Sequence, residues 1–413
     1  NSVAMKIKFL IIAFLIIIVT TVSFLFSPRP GPDIYKPENY VSLSTHAGFY
    51  VNCDADLYIN LSQSPQLLLK DKEPRQSRPL YVMAGWLIGA PLQFILEKSG
   101  LSGDFQRNLR GYYLGYVLLN FIILLISFIL FKKICDHYAG SHVDNLVLYA
   151  LMIFLASNSV TKSYFWTAHQ QMFVFLTPLL CLLLIIKLPQ KNLSLLRLSG
   201  ISFLLGTLTL AYGSFLLCLP CLLYATFLVN KKYKSLNDFL KMALIFTVFV
   251  APTLLWILIL GLNGVKYYNH EADQYRQFVW IIDSLKVSPL FFLKTALGNL
   301  YLFIRTFRGL VFFLVLFLAL FFAGRLMSAR KKNEDSKKQV VGILFAMVMV
   351  FMFFLCMGYY QIRLTFTLVP LLLCLLFILA NRLQNKINHI GLFLMITAIA
   401  WHIYQTVSYG PFY

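Results

Sequence analysis

Apolar residues run along this chain in blocks close to the ~20 residues needed to cross a hydrocarbon core, with polar residues gathered between them. The first block covers 9–26 and is followed by a long polar stretch, 27–110. Later blocks fall at 112–131, 145–157, 171–186, 198–212, 214–229, 239–262, 310–326, 340–357, 364–380 and 390–404. They are rich in Leu, Ile, Phe and Val without strict alternation. This pattern predicts helices, which satisfy their own backbone hydrogen bonds in lipid, and not barrel strands. The expected class is an all-α polytopic membrane protein with about eleven transmembrane helices. The pair of blocks around Gly213 reads as a tight hairpin or one bent element.

Two segments of the long polar stretch carry patterns of their own. Its opening S-P-R-P-G-P cannot continue a helix. Residues 54–62 have helical spacing, with Leu57, Asn60 and Leu61 on the side of Asp54, and predict a short helix on the membrane surface. Residues 79–96 are apolar but hold Gly85, Gly89 and Pro91 and are followed by E-K-S-G. They predict a half-inserted or interfacial segment in place of a full span. A second polar stretch, 263–308, ends in an amphipathic segment carrying Lys294, Arg305 and Arg308, which fits an interfacial helix touching lipid headgroups.

Composition strengthens the membrane reading: 59% of the 413 residues are hydrophobic. A formal charge of +20 raises nucleic acid as a partner, but the basic residues cluster at block ends and in loops, where topology and anionic lipid account for them. Nucleic acid is set aside. Lys6, Lys8, Lys132, Lys133, Lys187, Lys191, Arg197, Lys231, Lys232, Lys234, Lys241, the basic residues of 325–338, Arg382 and Lys386 all fall on one side. That side is read as cytoplasmic, which turns the loops 27–110 and 263–308 outward and leaves the C-terminus outside. Asn1 to Ala4 read as an expression scar (1–4) before one transmembrane domain (5–413), and the first block as a retained signal anchor. Of the seven cysteines, all but Cys53 sit in or beside apolar blocks as small core residues, Cys218 and Cys221 included.

With only 16 acidic residues in the chain, the candidate chemistry begins with Y-V-N-C-D-A-D-L-Y-I-N (50–60), which sets Asp54 and Asp56 just past the first block. The bland alternative is a solvated loop, which exposes acids anyway. The second stretch holds K-Y-Y-N-H-E-A-D-Q-Y-R-Q-F (266–278), with His270, Glu271, Tyr275 and Arg276. Aromatic rings stack on the apolar face of a sugar while acids and amides bind its hydroxyls. A divalent metal is compatible with these acids, but the spacing is not a recognised ligand pattern, so no metal or other cofactor is called for. Arg363 stands before an apolar run at headgroup depth, suited to a phosphate or to snorkelling. His169 or Gln170, in a shorter polar patch, is placed to line a cavity. Arg75 and Arg78 precede the 79–96 segment and suit an anionic headgroup.

Taken together, the layout resembles the GT-C class of integral membrane glycosyltransferases, which use polyprenyl-phosphate sugars as donors. The likeness rests on Asp54-Ala55-Asp56-Leu57-Tyr58 after the first span, Arg78-Pro79-Leu80-Tyr81 before the next apolar segment, and Arg363 ahead of Pro370. In that class the first-loop acid is the general base, a role that falls on Asp54, with Asp56 as the other candidate because many relatives have Asp-Glu where this chain has Asp-Ala-Asp. The resemblance implies transfer of a sugar to a glycan acceptor at the outer face of the membrane; the expected setting is a bacterial inner membrane, with a lipid-linked or surface glycan such as O-antigen or lipopolysaccharide as the acceptor. Developing phosphate charge would be met by Arg363, Arg78, Arg305 or Lys294. Tyr58, Tyr81, His169, His270, Glu271, Tyr275 and Arg276 are the candidate substrate-binding residues. The competing classes are a polysaccharide polymerase or O-antigen ligase, resting on His270 and Arg276; a secondary transporter, which would place ionisable groups at the midplane; and an assembly subunit, which would tolerate loss of every acid.

Overall fold

The computed structural model describes residues 2–28, 39–100, 111–140, 144–190, 193–228, 236–327, 334–384, 387 and 389–408. Asn1, residues 29–38, Lys191, Lys231, Lys232, Lys234, the basic residues at 330–332 and Lys386, all used in the topology reading above, lie outside them, as do the side chains of 334–339. Among the described residues the chain is helical apart from one small hairpin. After α1 (Ser2–Ser23), strand β1 (Tyr40–Ser42) pairs antiparallel with β2 (Gly48–Tyr50). Helices α2 (Ala55–Gln63), α3 (Pro79–Lys98) and α4 (Gly111–Ala139) follow.

The apolar periodicity sets the next helices and small polar residues start them. Asp144 caps α5 (Asn145–Ala156), Asn158 caps α6 (Ser159–Tyr164), and after α7 (Phe173–Lys187) Ser194 caps α8 (Leu195–Thr209); each accepts a hydrogen bond from a first-turn amide. The path from Gly213 to Leu228 is a 3-10 turn, then α9 (Cys218–Leu223), then a π turn. It is therefore a separate arm of a hairpin with α8 and not one bent helix. Next come α10 (Leu236–Leu262), α11 (His270–Gln274), α12 (Val279–Val287), α13 (Pro289–Thr306) and α14 (Val311–Met327). The chain closes with α15 (Glu334–Met357), α16 (Ile362–Thr365), α17 (Val369–Gln384) and α18 (Ile390–Val407).

Among the described residues nine helices are long and apolar enough to cross a membrane, and three shorter apolar helices lie at Asn145–Ala156, Leu195–Thr209 and Gly213–Thr226. The protein is thus a polytopic membrane protein by the length and composition of its helices. The stretches Gln170–Lys187 and Ile362–Gln384 are enclosed by protein, whereas α1, α10, α14 and α18 turn Leu, Ile and Phe outward, as lipid-facing helices do.

Two ends of this bundle can be told apart. Helix α1 runs antiparallel to α4: the Lys132 ammonium lies 5.6 Å from the Phe9 ring, Phe14 meets Phe121, and the Trp166 indole N–H donates to the Thr21 carbonyl at 2.9 Å. The start of α4 and the end of α1 therefore share one end. Helix α3, expected to be half-inserted, is one of these nine helices, and its contacts with α4 lie at that same end. Tyr81, in its first turn, packs on Tyr116, and Gln93 Oε1 accepts from the Gly111 N–H at 2.7 Å, at the very start of α4. Gly89 and Gly115 let the two backbones cross closely, since a Cβ on Gly115 would come within 2.8 Å of the Gly89 Cα. Pro91 sits inside the unbroken helix.

Residues 54–62 do form a helix, shifted by one with Asp54 at its N-cap position, but its buried face is not the expected one. Ala55, Tyr58, Ile59, Leu61 and Ser62 point inward against α3 and α4, and Asn60 is exposed. The protein neighbours, not the membrane surface, select the face.

Candidate functional site

At the end shared by the α1 terminus and the α4 start, five connections converge on one cavity of about 430 Å³. They are the first outer stretch, the α6–α7 link, the α8–α9 turn, the stretch around α11, and the α15–α16 link. Its lining includes the polar side chains Asp54, Arg75, Arg78, His169, Gln170, Glu271 and Arg363 and the apolar side chains Leu216, Phe278, Phe353, Phe354 and Met357. A roof is held over it where the Phe278 N–H donates to the Met357 carbonyl at 3.0 Å and Gly358, at φ 77, makes way for the Trp280 ring. Any Cβ there would collide with the indole, so only glycine fits.

Asp54 is free to face the cavity because its neighbour does the local work. The Asn52 side chain accepts from the Asp54 N–H at 2.9 Å, while the Asp54 carboxylate makes no capping bond to α2. Its Oδ1 lies 2.7 Å from Arg75 Nη2, and its Oδ2 lies 3.7 Å from His169 Nε2. His169 Nδ1 accepts from the Gln171 N–H at 3.1 Å. That bond occupies the Nδ1 lone pair and assigns the ring proton to Nε2, toward Asp54. Burial, then the guanidiniums of Arg363, Arg78 and Arg75, push the imidazole well below its ordinary range. His169 is therefore neutral near pH 7 and acts as a donor rather than a base.

Arg75 and Arg78 are both tied to Glu271. Arg75 Nη1 and Arg78 Nη2 lie 3.3 and 2.5 Å from Glu271 Oε1, and the Ser77 hydroxyl donates to Oε2 at 3.3 Å. Arg78 Nη1 also donates to the Tyr58 hydroxyl at 2.8 Å. Behind it Tyr58, Tyr81 and Tyr116 form a fully buried cluster, with Ser62 bonded to Tyr116 at 2.5 Å. Burial pushes the Tyr58 phenol up, so it stays neutral.

Arg363 is held differently. Its Nη1 donates to the Tyr164 hydroxyl at 2.7 Å, Gln171 Nε2 donates to its carbonyl at 3.2 Å, and its Nε is buried without a partner. Among the described residues no carboxylate forms an ion pair with it. The cavity thus holds a compensated half, with Arg75 and Arg78 against Asp54 and Glu271, and an uncompensated guanidinium at Arg363.

The sequence candidates divide accordingly. Asp54, Arg78, His169, His270, Glu271, Tyr275 and Arg363 line the cavity. Asp56 does not: two positions further on, in the first turn of α2, it points to the exposed side. Tyr58 and Tyr81 lie beneath the cavity wall, fully buried, and support it without lining it. Lys294 and Arg305 sit exposed on α13, with Arg305 over the Tyr301 ring at 5.9 Å, and Arg276 turns away to pair with Asp283. Among the described residues no group of three or more His, Cys, Asp or Glu side chains is placed to hold a metal ion. Sequence reasoning undervalued Arg75 and passed over Gln171, Tyr212 and Tyr359. Arg75 shares the R-Q-S-R turn with Arg78, and Tyr359 stands four residues before Arg363, so nearness to the named arginines was the available signal.

A carboxylate, an uncompensated guanidinium and aromatic side chains such as Tyr275 against Tyr359, 4.9 Å between centroids, suit proton acceptance beside an anionic group on a ring-bearing ligand. No protein-family model, no curated protein and no solved structure matches this chain, so the chemistry of the cavity rests on the residues that line it.

Proposed function

We propose that the protein is a membrane glycosyltransferase of GT-C type that moves a sugar from a polyprenyl-phosphate donor to a lipid-linked or surface glycan acceptor. One observation carries this reading: the same cavity holds Asp54, free of any capping role, and Arg363, free of any carboxylate, with an apolar wall beside them. An acceptor hydroxyl attacks the anomeric carbon and its proton passes to Asp54. The bond from that carbon to the donor phosphate breaks, the electron pair leaves with the polyprenyl phosphate, and Arg363 meets the charge that develops. The apolar wall at Leu216, Phe353 and Phe354 suits a lipid tail lying toward the bilayer.

The topology belongs to this proposal. About eleven crossings are made by α1, α4, α5 with α6, α7, α8, the 213–228 path, α10, α14, α15, α17 and α18, while α3 and α13 stay at the cavity end. The basic side chains Lys132, Lys187 and Arg382 then lie in the cytoplasm, and the cavity opens on the outer face of what is read as a bacterial inner membrane.

Turnover by the purified protein in lipid nanodiscs, given polyprenyl-phosphate sugars and read by mass analysis of the products, tests the reading; no transfer with any such donor and no change in surface glycan on deletion would sink it. The ligase or polymerase reading retains one favourable observation, His270 in the cavity wall. Arg276, its second requirement, faces Asp283 instead. Loss of activity in His270→Ala with full activity in Asp54→Asn would favour that alternative.

A further inference from the structure

Glu271 is the carboxylate by which the second outer stretch grips the first. It closes on Arg75, Ser77 and Arg78, and two neutral bonds guide it there: Gln76 Oε1 accepts from the Tyr268 N–H at 2.6 Å and the Gln76 carbonyl accepts from the Trp256 indole at 2.8 Å. Asn269 accepts from the Ala272 N–H at 3.2 Å and so starts the short helix that carries Glu271. Arg75, buried between two acids, is the only link in this chain of contacts that touches both Glu271 and Asp54.

We infer that Glu271 is a positioning residue for the transfer reaction: it holds Arg75, shares its charge, and thereby fixes the place of Asp54 and the charge that faces it. This rests on Asp54 being the base in the reading above. The titratable and charged groups around Asp54 are Arg75 and Cys53 from its own stretch and His169 and Tyr164 from the α6–α7 region, with Arg78 and Arg363 across the cavity. Among the described residues Arg75 is the one guanidinium in ion-pairing contact with Asp54, and it is shared with one other carboxylate, Glu271. With that carboxylate made neutral, the charge of Arg75 faces Asp54 alone, and a carboxylate facing more positive charge is the weaker base. A structural strut would leave this balance untouched.

The test is Glu271→Gln, which keeps shape and loses charge, beside Glu271→Asp, which keeps charge. Expected for Glu271→Gln is a fall in kcat of about tenfold or more with donor KM unchanged, and an acidic limb of the pH–rate profile moved to lower pH; Glu271→Asp recovers much of the rate. Wild-type kcat in Glu271→Gln would overturn the inference. So would a loss of rate with the limb unmoved and thermal stability lowered, the mark of a strut. Asp54→Asn separates the two levels: full activity there overturns the base assignment and this inference together, whereas an inactive Asp54→Asn beside an unaltered Glu271→Gln overturns this inference alone.

Discussion

The Arg363 guanidinium lies over the Tyr164 ring, 5.6 Å from its centroid, and donates to that ring's own hydroxyl at 2.7 Å. Tyr164, Tyr359 and Tyr212 supply the partial negative charge around it, and no carboxylate of the described residues completes the pair. Phenols satisfy donors but do not neutralise a cation. A half-buried guanidinium in this state is best stabilised by an arriving anion, whereas Arg78, already paired with Glu271, has little to gain from one.

Replacing Arg363 should therefore weaken use of the phosphate-bearing donor. Charge-assisted hydrogen bonds contribute roughly 1.5–3 kcal/mol, so donor kcat/KM should fall about tenfold to hundredfold in Arg363→Ala. Arg363→Lys keeps the charge but loses the planar fork, and should fall between the two. Acceptor KM should hardly move. Steady-state kinetics with donor and acceptor varied separately decides this, and normal donor kinetics with only a lower thermal midpoint would make Arg363 a membrane anchor.

Asp54→Asn should abolish transfer, and Asp56→Asn should leave most of it, because Asp54 lines the cavity and Asp56 points to the exposed side of α2. The first variant also removes one counter-charge from buried Arg75, which retains Glu271 at 3.3 Å, so the protein should still fold. Turnover and size-exclusion behaviour of both purified variants check the pair of outcomes. Activity in Asp54→Asn with none in Asp56→Asn would reverse the assignment.

How far this arrangement is legible in the sequence depends on how local each determinant is. The apolar blocks predict α1, α4, α7, α10, α14, α15, α17 and α18 closely, since length and hydrophobicity alone decide a crossing helix. Gly85, Gly89 and Pro91 suggest an interfacial segment at 79–96, but the chain there forms one unbroken helix long and apolar enough to cross, and the two glycines serve instead to admit α4, whose Tyr116 would strike a Cβ on Gly85. Spacing within 54–62 groups Asp54 with Leu57, Asn60 and Leu61, but the buried stripe is chosen by Tyr81 and Tyr116, which lie far along the chain. The partnership of Arg75 with Glu271 spans 196 positions and carries no local signature. Nor did any pattern announce the His169 tautomer, which is set by one backbone amide.

Neutral His169 makes stability depend on pH in a defined direction. Its folded value lies below the ordinary one, so between the two the unfolded chain binds more protons and stability rises with pH. That contribution is complete above about pH 6.5 and is lost as the pH falls below it. Asn at this position keeps an acceptor for the Gln171 N–H but cannot titrate. Thermal unfolding in detergent should show a smaller loss below about pH 6.5 for His169→Asn than for the parent, and equal slopes would mean that His169 takes up its proton as readily in the folded chain as in the unfolded one.

Sidedness can be read with cysteines, beginning with one the chain already has. Cys53 is exposed beside Asp54, and burial of its sulfur together with the Asp54 charge pushes its thiol up, so labelling should be slow but complete under mildly alkaline conditions. With the other cysteines replaced, a membrane-impermeant maleimide added to intact cells should label Cys53. Lys187→Cys, exposed at the opposite end of the bundle in a Cys53→Ser background, should react only after permeabilisation. The informative position is Lys98, at the far end of α3. If α3 stays at the cavity end, as Gln93 against Gly111 places it, Lys98→Cys reacts from outside with Cys53. Reaction only after permeabilisation would make α3 a full span, and α4 would then have to run in the direction opposite to that required by Phe9 beside Lys132 and Thr21 beside Trp166.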